Sequence, residues 1–212
     1  MQVFFNFLEL TYPLQKEFQL GRSPLSVLNV ARVGHPILRQ KAEPVDLKAL
    51  TAPGANELQR LIDDMVDTMR NEDGVGIAAP QVVRSLQIVV VEYRMNERYP
   101  DQDEIPLTVL VNPVITRSSE ETSSFWEGCL SLKDLRGLVT RPREVTVEAH
   151  SRQGEKMVVA AQDFLAVVLQ HEIDHLHGMV FLDRMQDLTQ LAFADELQTY
   201  WTEKKAVPIP EI

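Results

Sequence analysis

Cysteine is almost absent from this 212-residue chain, and Cys129 stands alone. A single thiol cannot close a disulfide within the chain, so an oxidising compartment is not implied. Long hydrophobic runs are missing too, and no apolar stretch approaches the ~20 residues needed to span a bilayer as a helix. Positive charge is scarce, with 21 Lys and Arg against 31 Asp and Glu and a net charge of -10. That balance argues against nucleic acid or anionic membrane as the main partner and fits a solvated, solubilising surface. The apolar start Met1–Phe7 lacks a basic flank and a small-residue cleavage site, so no signal peptide is expected. The segment to about Ser26 is poor in arginine and carries acidic residues, unlike a transit peptide.

The remainder suits one domain, with hydrophobic residues at 44% and charged residues at 25%. Pro44, Pro53 and Gly54 mark a loop between Val45 and Ala55. A helix is expected over Asn56–Asn71, where Leu58, Leu61, Ile62, Met65, Val66 and Met69 recur at helical spacing. Strands are expected over Leu86–Glu92, Leu107–Thr116, Glu144–His150 and Lys156–Ala161, with a polar loop over Tyr93–Pro106. Gln153-Gly154 suggests a hairpin turn. A second long helix is expected over Gln162–His177, ending at Gly178. Asp187 with Gln190 resembles a capping box and predicts a terminal helix to about Lys204. The pattern is α+β, with strands in the middle and helices at the edges and the end.

The chemistry concentrates in His171-Glu172-Ile173-Asp174-His175. Residues four apart on a helix differ by about 40° and rise by about 6 Å, so both imidazoles can meet one metal, with Glu172 beside them to handle protons. Phe164, Val167 and Val168 fall on the same side and form an apolar wall. Burying two histidines and a glutamate there would be costly without a metal. Asp174 and His177 read as structural. The third ligand stays open between Glu196, 21 residues beyond His175, and Cys129 in Glu127-Gly128-Cys129-Leu130-Ser131, which reads as a loop. A downstream histidine is excluded, because Phe181 occupies that position. Gly74-Val75-Gly76-Ile77-Ala78-Ala79-Pro80-Gln81 is neither a phosphate loop nor a dinucleotide fingerprint. Its small residues make a tight connection to which a substrate could come close.

Taken together, GVGIAAPQ, EGCLS and QHEIDHLHG, in this order and spacing, resemble the three motifs of peptide deformylase. The resemblance covers roughly Leu28 to Met185, and the Arg32–Val45 region containing VGHPILRQKAEPV also resembles the family's N-terminal region. It implies a deformylase-like fold, with mixed or antiparallel sheets packed around a central metal-binding helix and a C-terminal helix. It divides the chain into an extension at 1–27, a catalytic domain at 28–186 and a helix and tail at 187–212.

The implied activity is removal of the formyl group from the initiator formyl-methionine of nascent polypeptides, releasing formate. The implied ligands are Cys129, His171 and His175, holding ferrous iron with zinc, nickel or cobalt as substitutes. Glu172 is then the general acid/base, and Gln81 and the Leu130 backbone N–H bind the oxyanion. Gly76 offers backbone hydrogen bonds, and Val75, Phe164, Val167 and Val168 form the methionine pocket. Arg136 lies near the peptide cleft. By analogy the terminal helix meets the ribosome, and the substrate implies a bacterial cytoplasm. Two rivals remain: an HExxH zinc peptidase using Glu196, and a non-catalytic binding module stapled by metal.

Overall fold

The computed structural model describes residues 27–54, 56–94 and 103–201. Nearly all of the expected 1–27 extension, most of the 93–106 loop, and the terminal helix and tail beyond 201 lie outside these residues. A short helix α1, Leu47–Leu50, precedes α2, Glu57–Asn71. The Asn56 side chain starts α2 by accepting from the N–H groups of Leu58 and Gln59. Then follow β1 Gly76–Ala78, β2 Ile88–Tyr93, β3 Ile105–Ser118, β4 Thr122–Cys129, β5 Leu132–Pro142, β6 Glu144–His150 and β7 Lys156–Gln162. Helix α3 spans Asp163–Leu176, β8 Leu191–Phe193 and α4 Ala194–Tyr200.

Two antiparallel sheets result, ordered β1-β2-β3-β6-β7 and β4-β5-β8. All named strand pairs are antiparallel, and the parallel contact Glu43–Leu86 is an isolated bridge. β2 shows how the larger sheet is filled. Val89 and Val91 join the core that includes Phe164, Val168 and Leu169 of α3, whereas Ile88 and Val90 join Ile62, Met65 and Met69 of α2. Alternation along one strand thus covers both faces of the sheet, one with each helix. The methionines of α2 are core residues, as the spacing implies.

Helix α3 is the central element, buried along most of its length. It ends where expected: Gly178 takes the left-handed conformation at φ +73°, where a side chain would also strike the Arg39 backbone. Beside it the smaller sheet packs on Val180 and Phe181 through Cys129, Leu132 and Val139.

Three expectations are corrected. The Glu127–Ser131 segment is not a loop, because it is the end of β4 and a two-residue turn into β5. Its mixture of Gly, Glu and Ser hides a strand that packing enforces. The terminal helix begins at Ala194 rather than Asp187. Asp187 instead caps a 3-10 turn over Leu188–Gln190, accepting from the Thr189 N–H. Leu191–Phe193 then pairs with Leu135–Gly137, because covering the edge of β5 outweighs helix propagation. Finally, the strand at 107–116 extends to Ile105–Ser118 and so shortens the 93–106 loop. Among the described residues no helix is long and apolar enough to cross a membrane.

Candidate active site

The last two turns of α3 carry His171, Glu172 and His175, all buried. Cys129, at the end of β4, meets them from the smaller sheet. Its Sγ lies 3.3 Å from His175 Nε2, and one donor atom from each of Cys129, His171 and His175 falls within 4.8 Å of the others. The two imidazole rings are 5.1 Å apart at 77°, so their edges can address one point from different directions. A buried thiol and two buried imidazoles make a donor set suited to a transition-metal dication. Burial pushes the Cys129 thiol up, but the His175 and His171 contacts outweigh it and hold the thiol well below its usual range. Burial likewise opposes a proton on His171, while Cys129 and Glu127 hold it there, well above the usual imidazole range. The cluster therefore favours thiolate beside positive charge, a requirement that a metal ion meets.

A second ring of charge surrounds His171. Its Nδ1 lies 2.7 Å from Glu127 Oε2, which directs Nε2 toward the cluster. Arg141 grips Glu127 with Nε at 2.6 Å and Nη2 at 3.1 Å, and reaches Asp174 through Nη1 at 2.8 Å. Arg184 closes the array on Asp174 at 2.6 and 3.0 Å. Burial raises the Glu127 and Asp174 carboxyls, yet the His171 and Arg141 contacts on Glu127, and the Arg184 and Arg141 contacts on Asp174, leave both below their usual values. Two carboxylates and two guanidiniums give a neutral set, which is how four charges can be held beside the core.

Glu172 differs. Burial pushes its carboxyl up to about 7 against the opposing His171 and His175 charges. Among the described residues its Oε2 has no hydrogen-bond partner. Gly76 of β1 lies against it so closely that an added Cβ would come within 2.7 Å of Glu172 Cγ and Cδ. Gln81, 1% exposed, is fixed by the Ala78 N–H donating to Oε1 at 2.8 Å. That turns its amide Nε2 toward Cys129 Sγ at 3.5 Å and Ser131 Oγ at 3.3 Å.

A cleft of about 470 Å³ opens over these groups. Cys129, Leu130, His171 and Glu172 line its floor. Val75, Phe164, Val167 and Val168 supply an apolar wall, with Gly76 and Arg136 also on the lining. His175 and Gln81 sit behind the floor, fully buried. The fold thus brings together every residue singled out from the sequence except Glu196. Glu196 is exposed on α4, and among the described residues the ligand-like cluster contains no carboxylate. His177 is structural, its Nδ1 bonded to the Ile173 carbonyl at 2.9 Å. Asp174 is structural in a stronger sense, as the hub of the charged array.

Sequence reasoning missed Glu127, Ser131, Arg141 and Arg184. Reading β4 as a strand would have exposed Glu127, since residues two apart share a face. Val139 and Arg141 carry the same signal on β5. Nothing local marks Arg184.

The sequence model of the polypeptide deformylase family matches residues 27–191. Peptide deformylase 2 of Pseudomonas putida is 42% identical over 171 residues, covering 81% of this chain and 94% of that protein. Peptide deformylase 1 of Bordetella pertussis is 42% identical over 168 residues, covering 79% and 93%. Among solved structures, the class I type b peptide deformylase from Acinetobacter baumannii with bound Met-Ala-Ser superposes with a TM-score of 0.73. It is 43% identical and covers 76% of this chain and all of that one.

Proposed function

Because this chain belongs to the polypeptide deformylase family, we propose that Cys129, His171 and His175 hold its metal and that Glu172 moves the protons of its reaction. The enzyme is a metal-dependent hydrolase that removes the N-formyl group from formylmethionyl peptides. One observation carries the assignment of roles: Cys129 and His171 of the ligand cluster lie on the floor of an apolar-walled cleft with His175 directly behind them, and Glu172 beside them has an Oε2 with no partner among the described residues.

The bound metal supplies Lewis acidity that lets water lose a proton near neutral pH. The chain's own groups do the rest. Glu172, buried beside the ligands with its Oε2 unpartnered among the described residues, takes the water proton while the water oxygen bonds to the formyl carbon. The same carboxyl then gives that proton to the amide nitrogen as the C–N bond breaks, and formate departs. The Gln81 amide and the Leu130 N–H bind the developing oxyanion, and each such donor is worth about 3 kcal/mol in the transition state. Val75, Phe164, Val167 and Val168 take the methionine side chain, Gly76 offers its backbone, and Arg136 meets the peptide beyond it. Residues 28–186 form the catalytic unit, with 187–212 appended to it.

The metal is ferrous iron, with zinc, nickel or cobalt as substitutes. A thiolate with two imidazoles accommodates any of them. The acidic chain resembles bacterial enzymes and acts in the bacterial cytoplasm on nascent chains, its C-terminal segment meeting the ribosome. The test is formate release from a formyl-methionyl peptide under anaerobic conditions, comparing iron-loaded and zinc-loaded protein. Formate with iron, and loss of that activity in air as iron and thiolate oxidise, is expected. No formate with either metal would overturn the assignment. The zinc peptidase with Glu196 is not favoured, since Glu196 lies on the exposed face of α4.

A further inference from the structure

The geometry points to Trp126, braced by Trp201, as the surface that reads the residue following methionine and favours an apolar or aromatic side chain there. This inference rests on the deformylase reading of the cleft. β4 is the outer strand of its sheet, and Phe125 to Cys129 line the cleft. Successive residues of a strand face opposite ways. Glu127 turns to His171, and Phe125 packs on the core that contains Phe164 and Val168. Trp126 and Gly128 therefore face the other side. There the guanidinium of Arg136, the register partner of Gly128, lies flat against that glycine: an added Cβ would sit 2.7 Å from it.

On the same side the Trp126 ring meets Trp201 edge to face, with centroids 5.5 Å apart at 65°. Trp201 follows α4, which is anchored by buried Leu197 and by the pairing of Arg136 with Ala192 in β8. The chain contains only two tryptophans, and they are paired here. An extended peptide obeys the same alternation as β4. With its methionine turned to the Phe164–Val168 wall, its next side chain emerges on the face of Trp126 and Arg136. Trp126, half-buried, presents apolar surface to that side chain, and Trp201, which lines no part of the cleft, fixes the ring's angle.

The test compares formyl-Met-Phe-Ser with formyl-Met-Ala-Ser. The expected kcat/KM preference for Phe is about three- to tenfold, the range of one added aromatic contact, and it resides in KM. Trp126→Ala should bring the ratio close to one. Trp201→Ala should lower it partway, and Trp201→Phe should preserve it. Titration with the product peptides reads the same contact optically: Met-Phe-Ser should shift the tryptophan emission more than Met-Ala-Ser. An unchanged ratio in Trp126→Ala, or no preference in the unmodified enzyme, overturns the inference. Formate from neither substrate overturns the deformylase reading instead, and the fluorescence titration still decides whether Trp126 distinguishes the two peptides.

Discussion

Replacing Gly76 with alanine adds one methyl group and leaves every backbone donor and acceptor of β1 in place. The new Cβ would stand 2.7 Å from Glu172 Cγ and Cδ. Carbon atoms in contact prefer about 3.5–4.0 Å, so something must yield by roughly 1 Å. The backbone of α3 is held by Phe164, Ala166, Leu169 and Ile173 in the core, and β1 is paired to β2 through Gly76 and Val91. The Glu172 side chain is the softest element, so its carboxylate swings. A displacement of about 1 Å in a reacting group costs on the order of a hundredfold, or about 2.7 kcal/mol in the barrier. The expected result is therefore a kcat near 1% of the unmodified value, with KM little changed and metal content retained. Overpacking should also lower stability by about 1–3 kcal/mol, which thermal melting will show. The assay is formate release at saturating peptide, repeated in a Glu172→Ala background. If Gly76 acts only by placing Glu172, the added methyl costs nothing further once that carboxylate is gone. A Gly76→Ala enzyme within about threefold of full kcat would refute the reasoning, as would full additivity of the two changes.

Other expectations follow from the same geometry. Cys129→Ala should abolish tight metal binding, measured by equilibrium dialysis, and should erase sulfur-to-metal charge-transfer absorption from cobalt-loaded protein; retention of both would exclude the thiolate as ligand. Arg141→Met leaves Glu127 without its guanidinium and Asp174 with Arg184 alone. Breaking so buried an array should cost about 3 kcal/mol or more and lower Tm by about 10 °C, and a shift under about 2 °C would contradict it. Away from the site, Arg70 hydrogen-bonds Glu92 and holds its carboxyl below the usual range, against the opposing effect of burial. The folded state then binds that proton less readily than the unfolded chain does. The stabilisation is complete above the unfolded value of about 4.3 and fades as pH falls through the folded one. Arg70→Met should accordingly lower Tm at pH 7, by about 1 kcal/mol of stability, with the gap narrowing below pH 4; a constant gap across pH would refute this.

The histidine pair, its glutamate and the helix bearing them were legible in the sequence because a helix maps spacing directly onto geometry. Four residues fix an angle, so His171 and His175 could be placed on one point without knowledge of the fold. The apolar wall of Phe164, Val167 and Val168 was legible for the same reason. Cys129 was not, because it comes from another sheet, and spacing along the chain carries no information about that approach. Residues alone left both Cys129 and Glu196 open, and the family resemblance chose between them before the geometry did. The terminal segment misled for a physical reason. Asp187 and Gln190 carry helix-start chemistry, but Leu191–Phe193 complete the edge of β5, and a pairing of residues as far apart as Leu135 and Phe193 leaves no mark in the local pattern.

The charged array explains why β4 had to be a strand for the site to exist. Glu127 and Cys129 share a face only if the backbone between them is extended, and only then can one reach His171 Nδ1 while the other reaches His175. Gly128 between them lets the Arg136 guanidinium lie in the space a side chain would fill, and a larger residue would displace that guanidinium. Arg141, on the paired strand, binds Glu127 to Asp174 of α3, so the sheet and the helix are joined through the groups that orient the ligands. A looser Glu127–Cys129 segment would cost the site its geometry before it cost the protein its fold. The three residues Glu127, Gly128 and Cys129 thus do separate work: one orients a histidine, one admits an arginine and one supplies the thiolate.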